Sequence, residues 1–230
     1  EHNHPHGDKV IMKRLRNSCK YLDKLVVVSR DLKHIYSEDF KNNDIKCRVE
    51  YIPNFLEKLP KKINKLDNKN IISVGRLEPE KGFLDLVSVF KLIELKDGEV
   101  YLNLVGDGSQ KDKIFKNIVD NNISRKVKMP GYLDFEELNK LYEETSLYLM
   151  TSYTESFGLV LIEAMSHGIP VIAFSCAEGA KELINNGVNG YLINNRNEHE
   201  MADRAVKLLN NPDKLKELGE NARITALKYS

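Results

Sequence analysis

Residues 147–174 read LYLMTSYTESFGLVLIEAMSHGIPVIAF, and two short apolar runs in this stretch enclose an apolar segment that opens at Gly158. The runs Leu147–Met150 and Val171–Phe174 have the length and composition of strands buried on both faces. The segment between them has helical length and spacing. The stretch therefore predicts a strand, a helix and a second strand of one parallel sheet.

The same alternation extends in both directions, from Asn70 to the helix predicted after Pro212. Short apolar runs bounded by glycine, proline or serine are separated by longer amphipathic segments. The other predicted strands are Ile71–Val74, Val100–Val105, Val127–Met129 and Gly190–Ile193. Residues at helical spacing are Phe83, Leu86, Val87 and Phe90, then Ile114, Ile118 and Val119, and finally Leu215, Leu218 and Ala222. The predicted fold class is α/β, a Rossmann-like parallel sheet with helices on both faces and ligands beyond the carboxyl ends of its strands.

Residues 1–60 show this pattern in a shorter form, as a partial second α/β unit. Its predicted elements are a helix with Ile11, Leu15 and Leu22 on one face, a strand Leu25–Val28, a helix to Phe40 and a strand ending at Ile52. Residues 57–69 contain Pro60 and five lysines, a composition typical of a linker. We therefore predict a remnant of a first domain with its linker over 1–60 and a second domain over 61–230.

The overall charge gives no reason to expect a nucleic acid partner. The chain has 35 Lys and Arg against 34 Asp and Glu, a formal net charge of +1.

No apolar stretch approaches the roughly 20 residues of a membrane span and no signal peptide opens the chain, so a cytoplasmic location is expected. Cys19, Cys47 and Cys176 are odd in number and far apart, which argues against a disulfide framework.

Glu155 and Glu163 flank the start of the helix that Gly158 opens. A glycine there leaves backbone N–H groups accessible to a diphosphate, and the helix dipole favours the same negative charge. Glu163 stands among apolar residues and needs hydroxyl or N–H donors, which a vicinal sugar diol would supply. The structural alternative is that Glu155 caps the helix and Glu163 makes one buried hydrogen bond.

Two cations follow the first strand of the second domain, in the segment Val74-Gly-Arg-Leu-Glu-Pro-Glu-Lys-Gly82. Arg76 offers a planar fork and Lys81 a mobile point charge, which suit the oxygens of a diphosphate and the charge that grows on it as a bond breaks. The alternative is a solvated ion pair with Glu78 or Glu80. Taken with the two glutamates, these cations predict one cleft at the strand ends.

Other motifs give weaker signals. Val105-Gly-Asp-Gly108 lacks the third glycine of the dinucleotide fingerprint and predicts chiefly a tight turn. Tyr132, after the third strand, either lines a base pocket or covers the sheet edge. The alternating His2, His4 and His6 have the spacing of metal ligands on an extended strand, although a chain terminus is usually frayed.

Two further features have ordinary and functional interpretations. The first predicted helix has a basic face, which is either solvated or in peripheral contact with an anionic membrane surface. His167 precedes Gly168 near a helix end, where a C-terminal cap or a partner of the helix dipole is the usual role. The basic residues of that first helix are Lys9, Lys13, Arg14, Arg16 and Lys20.

In this order, the motifs resemble the family-four glycosyltransferases of the GT-B fold. Leu25–Ser29 and Ile52–Asn54 look like the end of that family's first domain. Its donor-binding second domain is resembled by Val74–Arg76, Lys81–Gly82, Val105–Gly108, Glu155–Leu159, Glu163–Met165 and Gly168–Val171. The resemblance implies a retaining, metal-independent transfer of a hexosyl or N-acetylhexosaminyl group to a glycan or lipid-linked acceptor. The implied donor is a nucleotide sugar, with UDP favoured over GDP, and no separate cofactor is implied. No Asp-x-Asp triplet occurs in the sequence, which agrees with a reaction that needs no metal.

The resemblance also implies roles for the candidate residues. Arg76 and Lys81 hold the donor diphosphate with help from amides near Gly158 and Leu159, and Gly75 of the same loop is a further donor-binding candidate, as is Tyr132. Glu163 receives the ribose hydroxyls and Glu155 touches the transferred sugar.

Most of the acceptor-binding domain is missing from the pattern, so the chain alone is expected to bind donor without turnover. Two alternatives remain at this point. One is a nucleotide-sugar epimerase of the same architecture, and the other is a non-catalytic module that binds phosphorylated ligands.

Overall fold

The computed structural model of the chain describes residues 9–60 and 62–230. The chain divides into two compact units, one up to Phe55 and the other from Leu56 to Ser230. The sequence pattern alone placed the boundary near residue 60. His2, His4 and His6, whose spacing would suit metal ligands, lie outside the described residues.

The first unit contains two helices and a two-stranded parallel sheet. Its elements are α1 (Lys9–Cys19), β1 (Lys24–Val27), α2 (Arg30–Asn42) and β2 (Arg48–Tyr51). Ser29 is the N-cap of α2, and its side chain accepts the Leu32 backbone N–H at 3.4 Å.

The predicted apolar face of α1 was wrong. Ile11 and Leu22 are about half exposed, and α1 ends at Cys19, before Leu22. Met12 and Cys19 are buried instead, with Leu15 packed against the same core. The true stripe is spaced i, i+3 and i+7, as 3.6 residues per turn requires.

The second unit is built on a six-stranded parallel sheet. The strands are β3 (Asn70–Val74), β4 (Tyr101–Val105), β5 (Val127–Gly131), β6 (Leu147–Met150), β7 (Val171–Phe174) and β8 (Gly190–Ile193). The helices are α3 (Phe83–Lys96), α4 (Lys111–Asp120), α5 (Phe135–Glu143), α6 (Leu159–Ser166), α7 (Glu178–Leu183), α8 (Glu198–Leu209) and α9 (Pro212–Ala226). The predicted fold class and all six predicted strands of this unit are confirmed.

The order across the sheet is β5-β4-β3-β6-β7-β8, so β3 lies between the second and the fourth strand of the unit. Such a reversal is the position where open α/β sheets bind ligands, outside the carboxyl ends of the strands. The strands β3 and β6 pair through Ile71 with Leu147 and through Ile72 with Tyr148, and the pairing stops there. A crevice therefore opens between the last residues of β3 and β6.

One apolar core supports this sheet. The predicted helix residues Phe83, Leu86, Val87, Phe90, Ile114, Ile118, Leu215, Leu218 and Ala222 are all buried. The exception is Val119, which is about half exposed because α4 covers the sheet with a narrow stripe. Among the described residues, no helix combines the length and apolarity needed to cross a bilayer.

Candidate functional site

The loops after β3 and β6 meet at the carboxyl end of the sheet. Lys81 Nζ donates to Glu155 Oε2 at 2.7 Å, and the two side chains are only 19% and 16% exposed. The backbone N–H of Tyr153 donates to the Glu80 carbonyl at 2.8 Å. The cation predicted in one loop and the carboxylate predicted in the other thus form a direct ion pair.

Gly82 lets these loops come together. Its φ of 64° is left-handed, and a Cβ at this position would stand 2.2 Å from the Thr151 carbonyl oxygen. Any side chain would push the two loops apart. Gly82 also precedes the first residue of α3, so the helix is held close to the crevice.

The start of α6 presents free backbone donors. Gly158 has a left-handed φ of 89°, and α6 begins at the next residue. Among the described residues, no acceptor bonds the N–H groups of Gly158, Leu159 or Val160. These amides and the positive end of the helix dipole suit an anion.

Glu155 is fixed through its backbone and does not cap α6. Its carbonyl accepts the Gly179 N–H at 2.7 Å, which ties the loop to α7. Within the described part of the chain no side chain makes a capping hydrogen bond at the start of α6, so Glu155 does not have the capping role considered as its alternative. The Glu155 carboxylate is bonded to Lys81 and keeps acceptor capacity for a ligand.

Glu163 lies in the second turn of α6 and is largely buried. Burial raises the pKa of its carboxyl group, and the nearby Tyr142 hydroxyl opposes that rise. Within the usual distance and angle limits the Tyr142 hydroxyl has no partner among the described residues, so its contact with Glu163 is at most a weak hydrogen bond. Among the described residues Glu163 thus has a weak contact with one hydroxyl, and its carboxylate keeps the capacity to accept from a ligand.

Tyr148 lies at the opening between β3 and β6. Its hydroxyl donates to the Val74 carbonyl at 3.0 Å and accepts the Val74 N–H at 3.2 Å. Burial raises the Tyr148 pKa, and the negative charges of Glu155 and Glu163 raise it further. Both glutamates therefore lie within electrostatic range of one point, next to the loop that begins at Gly75.

The contacts of the remaining predicted residues, by themselves, do not identify a ligand-binding role. Arg76 is 73% exposed and donates to Glu80 Oε1 at 3.1 Å, which is the solvated pair considered as its alternative. The Gly75 N–H is used by the Val105 carbonyl at 3.0 Å and is not free for a ligand. Leu159 and Tyr132 are exposed, Tyr132 to 81%. Their roles stay predictions.

The loop that carries Arg76 is also tied to the turn after β4. Glu78 accepts the Ser109 N–H at 2.9 Å and the Ser109 hydroxyl at 2.5 Å. Leu77 donates its N–H to the Asp107 carbonyl at 2.9 Å. The Gly106–Gly108 segment is thus a tight turn, as predicted, and it braces the cation loop.

His167 has no role in this site. It occupies the C-cap of α6, as predicted, and its Nε2 lies 2.8 Å from Asn139 Oδ1. Burial lowers its pKa to about 4, so the ring is neutral near pH 7 and is not a cationic partner of the helix dipole. Across residues 9–60 and 62–230, no cluster of three or more His, Cys, Asp or Glu could hold a metal ion.

Sequence reasoning missed Arg196, which follows β8. Its guanidinium donates to the Thr151 carbonyl at 2.8 Å and to the Ser152 carbonyl at 3.2 Å. The only local signal was its position just after a predicted strand, at the sheet edge where ligand loops gather.

The Rossmann-like sheet, with the Lys81–Glu155 ion pair and the free amides of α6 at its switch point, defines a class, the GT-B glycosyltransferases, whose solved structures it matches. The chain belongs to the family of glycosyl transferases group 1, whose model matches residues 55–225.

Several relatives support this assignment. A Haemophilus influenzae protein named as an uncharacterized glycosyltransferase is 33% identical, over 94% of this chain and 61% of its own length. A Staphylococcus aureus poly(ribitol-phosphate) alpha-N-acetylglucosaminyltransferase is 39% identical, over 68% of this chain and 32% of its own length. The chain thus spans less than two-thirds of the length of these relatives.

Solved structures show the same fold. A point mutant of S. aureus TarM, in complex with fondaparinux, alpha-GlcNAc-glycerol and UDP, superposes with a TM-score of 0.85 at 31% identity. That match covers 100% of this chain and 46% of TarM. A pneumococcal O-GlcNAc transferase GtfA has a TM-score of 0.86 at 20% identity, over 96% of this chain and 45% of GtfA, which shows the fold alone.

Proposed function

We propose that this chain is the donor-binding part of a retaining, metal-independent glycosyltransferase of family four. Its donor is a UDP-linked hexose or N-acetylhexosamine, and its acceptor is a glycan or a lipid-linked glycan. The observation that carries the proposal is the Lys81–Glu155 ion pair, which joins two strand-end loops beside the free amides of α6. Two named relatives support the choice of donor, since one transfers N-acetylglucosamine and TarM was solved with UDP.

Each part of a nucleotide sugar finds a complementary group. The diphosphate fits against Lys81, Arg76 and the N–H groups at the start of α6, because all of these favour negative charge. The ribose diol fits Glu163, whose carboxylate has a weak contact with the Tyr142 hydroxyl and keeps further acceptor capacity. Glu155 is left to accept hydroxyls of the transferred sugar.

The chemistry follows from where charge develops. As the bond between the sugar and the diphosphate breaks, negative charge grows on the leaving phosphate oxygens. A fixed ammonium and an oriented helix start stabilise that charge without reorganisation. Glu155 acts as a hydrogen-bond acceptor at the sugar, since its Oε2 is already held by Lys81. Retention follows if the acceptor attacks from the face that the diphosphate leaves.

The first unit, up to Phe55, is proposed to be the end of an acceptor-binding domain. Its basic helix α1 exposes Lys9, Lys13 and Arg14, and exposed Lys20 follows it, which suits peripheral contact with an anionic membrane on the cytoplasmic side. Arg16 of the same helix is paired with Asp39, Nε to Oδ2 at 2.9 Å. The chain by itself is proposed to bind donor without turnover. Neither the epimerase nor the phosphate-binding module is favoured by any feature of the site or by the relatives compared.

Calorimetry of this chain with UDP, GDP and ADP tests the proposal. We expect UDP to bind most tightly, and Lys81→Met to weaken UDP at least about tenfold because a charge-assisted contact is lost. Arg76→Ala should weaken UDP without lowering stability, since its ion pair is exposed.

The matched control is Lys96→Met. Lys96 pairs with Asp203 at the same 2.7 Å, but at the far end of α3 and in an exposed position. Its loss should leave UDP affinity unchanged. A folded wild-type chain that binds no nucleotide at millimolar concentration would contradict the donor site.

A further inference from the structure

Arg196 lies in a short helical turn directly after β8, and its backbone is strained. Asn195 and Arg196 have left-handed φ values of 53° and 49°. Asparagine tolerates this region, whereas a long side chain such as arginine rarely adopts it. Such strain persists only when surrounding contacts hold it.

The Arg196 guanidinium makes those contacts with backbone of the site. One amino group donates to the Thr151 carbonyl at 2.8 Å and to the Asp85 carboxylate. The other donates to the Ser152 carbonyl and to Cys176 Sγ, both at 3.2 Å. The side chain, only 21% exposed, thus joins the loops after β6, β7 and β8 to the first turn of α3.

Aromatic stacking completes the arrangement. The guanidinium carbon lies 3.6 Å from the Tyr153 ring centroid and 4.5 Å from that of Phe174. The Tyr153 hydroxyl donates to Asp85 Oδ2 at 2.8 Å, so the ring and the guanidinium share one carboxylate. Only an arginine has a planar fork that can stack and also bond several acceptors in different directions.

These contacts act on both halves of the ion pair. Thr151, Ser152 and Tyr153 lead directly to Glu155, and the Tyr153 N–H bonds the Glu80 carbonyl beside Lys81. Asp85 belongs to the helix that begins just after Lys81. If the guanidinium were removed, two carbonyls after β6 and a carboxylate of α3 would lose their common donor.

We propose that Arg196 is a positioning residue of the donor site, which sets the separation of Lys81 and Glu155 by holding residues 151–153 against the start of α3. This inference rests on the proposed donor site. It adds a residue that touches no donor atom and acts through the two loops.

The test is Arg196→Lys, which keeps the charge and removes the fork. UDP affinity is measured by calorimetry at a temperature where each variant is folded by circular dichroism, so that a loss of stability alone cannot change it. We expect affinity to fall about tenfold or more, since small displacements of positioned groups are costly. Amide hydrogen exchange of residues 151–155 should accelerate in the same variant.

Arg204→Lys is the matched control. Arg204 also stacks on an aromatic ring, 4.5 Å from the Tyr191 centroid, but it lies in the middle of α8. Its replacement should leave UDP affinity and exchange at residues 151–155 unchanged. Asp85→Asn should reproduce part of the Arg196→Lys effect, and the double variant should lose less than the two single effects combined.

The outcomes separate the two proposals. If the folded wild-type chain does not bind UDP, both the proposed donor site and this inference are overturned. If the wild type binds UDP and folded Arg196→Lys binds it equally well, only the positioning role fails. If Arg196→Lys does not fold, Asp85→Asn decides: unaltered UDP affinity and unaltered exchange would overturn the role.

Discussion

Among single residues, Glu163 lowers the free energy of unfolding of the unliganded chain near pH 7, because its carboxylate is largely buried. Burial raises its folded-state pKa above the ordinary value of 4.5, so the folded chain holds this proton more tightly than the unfolded chain. The contribution of Glu163 to stability is therefore lost as the pH rises from the pKa that Glu163 has in the unfolded chain to above the pKa that it has in the folded chain. A ligand that donates two hydroxyl groups would offset the cost.

We predict that Glu163→Gln stabilises the unliganded chain near pH 7 and weakens UDP at least about tenfold. The gain in stability should shrink as pH falls towards the unfolded pKa, where the wild-type carboxyl group is also neutral. Urea unfolding at several pH values, with calorimetry, measures both effects. A variant that is less stable at neutral pH and binds UDP normally would show that Glu163 is structural.

His167 gives the opposite dependence on pH. Its pKa is lowered from 6.5 to about 4, first by burial and then by the charge of Arg223, against the attraction of Glu143. As pH falls from about 6.5 to about 4, the unfolded chain takes up a proton that the folded chain refuses, so stability falls.

We predict that His167→Gln removes a loss of up to about 3 kcal/mol in that window. The Gln amide can still meet Asn139, and exposed His199→Gln is the control. Unfolding curves at pH values across the window measure the difference. Identical pH profiles for His167→Gln and wild type would show that the ring is not held neutral.

Among the secondary-structure elements, β3 and β6 separate near their carboxyl ends, yet the backbone N–H and carbonyl of Val74 still have hydrogen-bond partners. Val74 would find its hydrogen-bond partners on β6 if the pairing continued, but the strands part after Ile72 and Tyr148. The Tyr148 hydroxyl serves both the N–H and the carbonyl of Val74 in place of a strand. The crevice is thus open while the backbone at its base stays bonded.

We predict that Tyr148→Phe lowers the free energy of unfolding by about 1–3 kcal/mol, because two backbone groups lose their partner. Tyr142→Phe is the matched control: its ring is equally buried, but its hydroxyl has no partner among the described residues. That change should cost less than Tyr148→Phe, because the Tyr142 hydroxyl bonds no backbone group among the described residues. Equal losses in the two variants would mean that the bonds to Val74 contribute no stability of their own.

In the molecule as a whole, each unit has its own apolar core. One core contains residues between Met12 and Val49, and the other contains residues between Leu66 and Leu218. The candidate site residues all belong to the second unit.

We therefore predict that residues 56–230 fold cooperatively without the first unit and bind UDP within about threefold of the affinity of the whole chain. Thermal unfolding and calorimetry of the shortened chain test this. A shortened chain that stays unfolded, or folds and loses UDP, would show that the first unit completes the site.

Local patterns in the sequence were enough to predict the strands of the second unit, its helices α3, α4, α6 and α9, and the loops that hold candidate groups. Apolar runs and helical spacing involve only neighbouring residues, so β6, β7 and α6 could be predicted from adjacent positions. The misjudged helix face, on α1, came from choosing Ile11 over Met12 where several apolar residues compete.

Which of these groups meet depends on the tertiary structure. Lys81 and Glu155 are 74 residues apart, and their ion pair depends on β3 lying beside β6. Arg196 reaches Thr151 and Asp85 for the same reason, and Tyr148 bonds Val74 because the strands part between them. Strand order brings distant loops together through burial of the whole sheet, and no local pattern in the chain encodes that order.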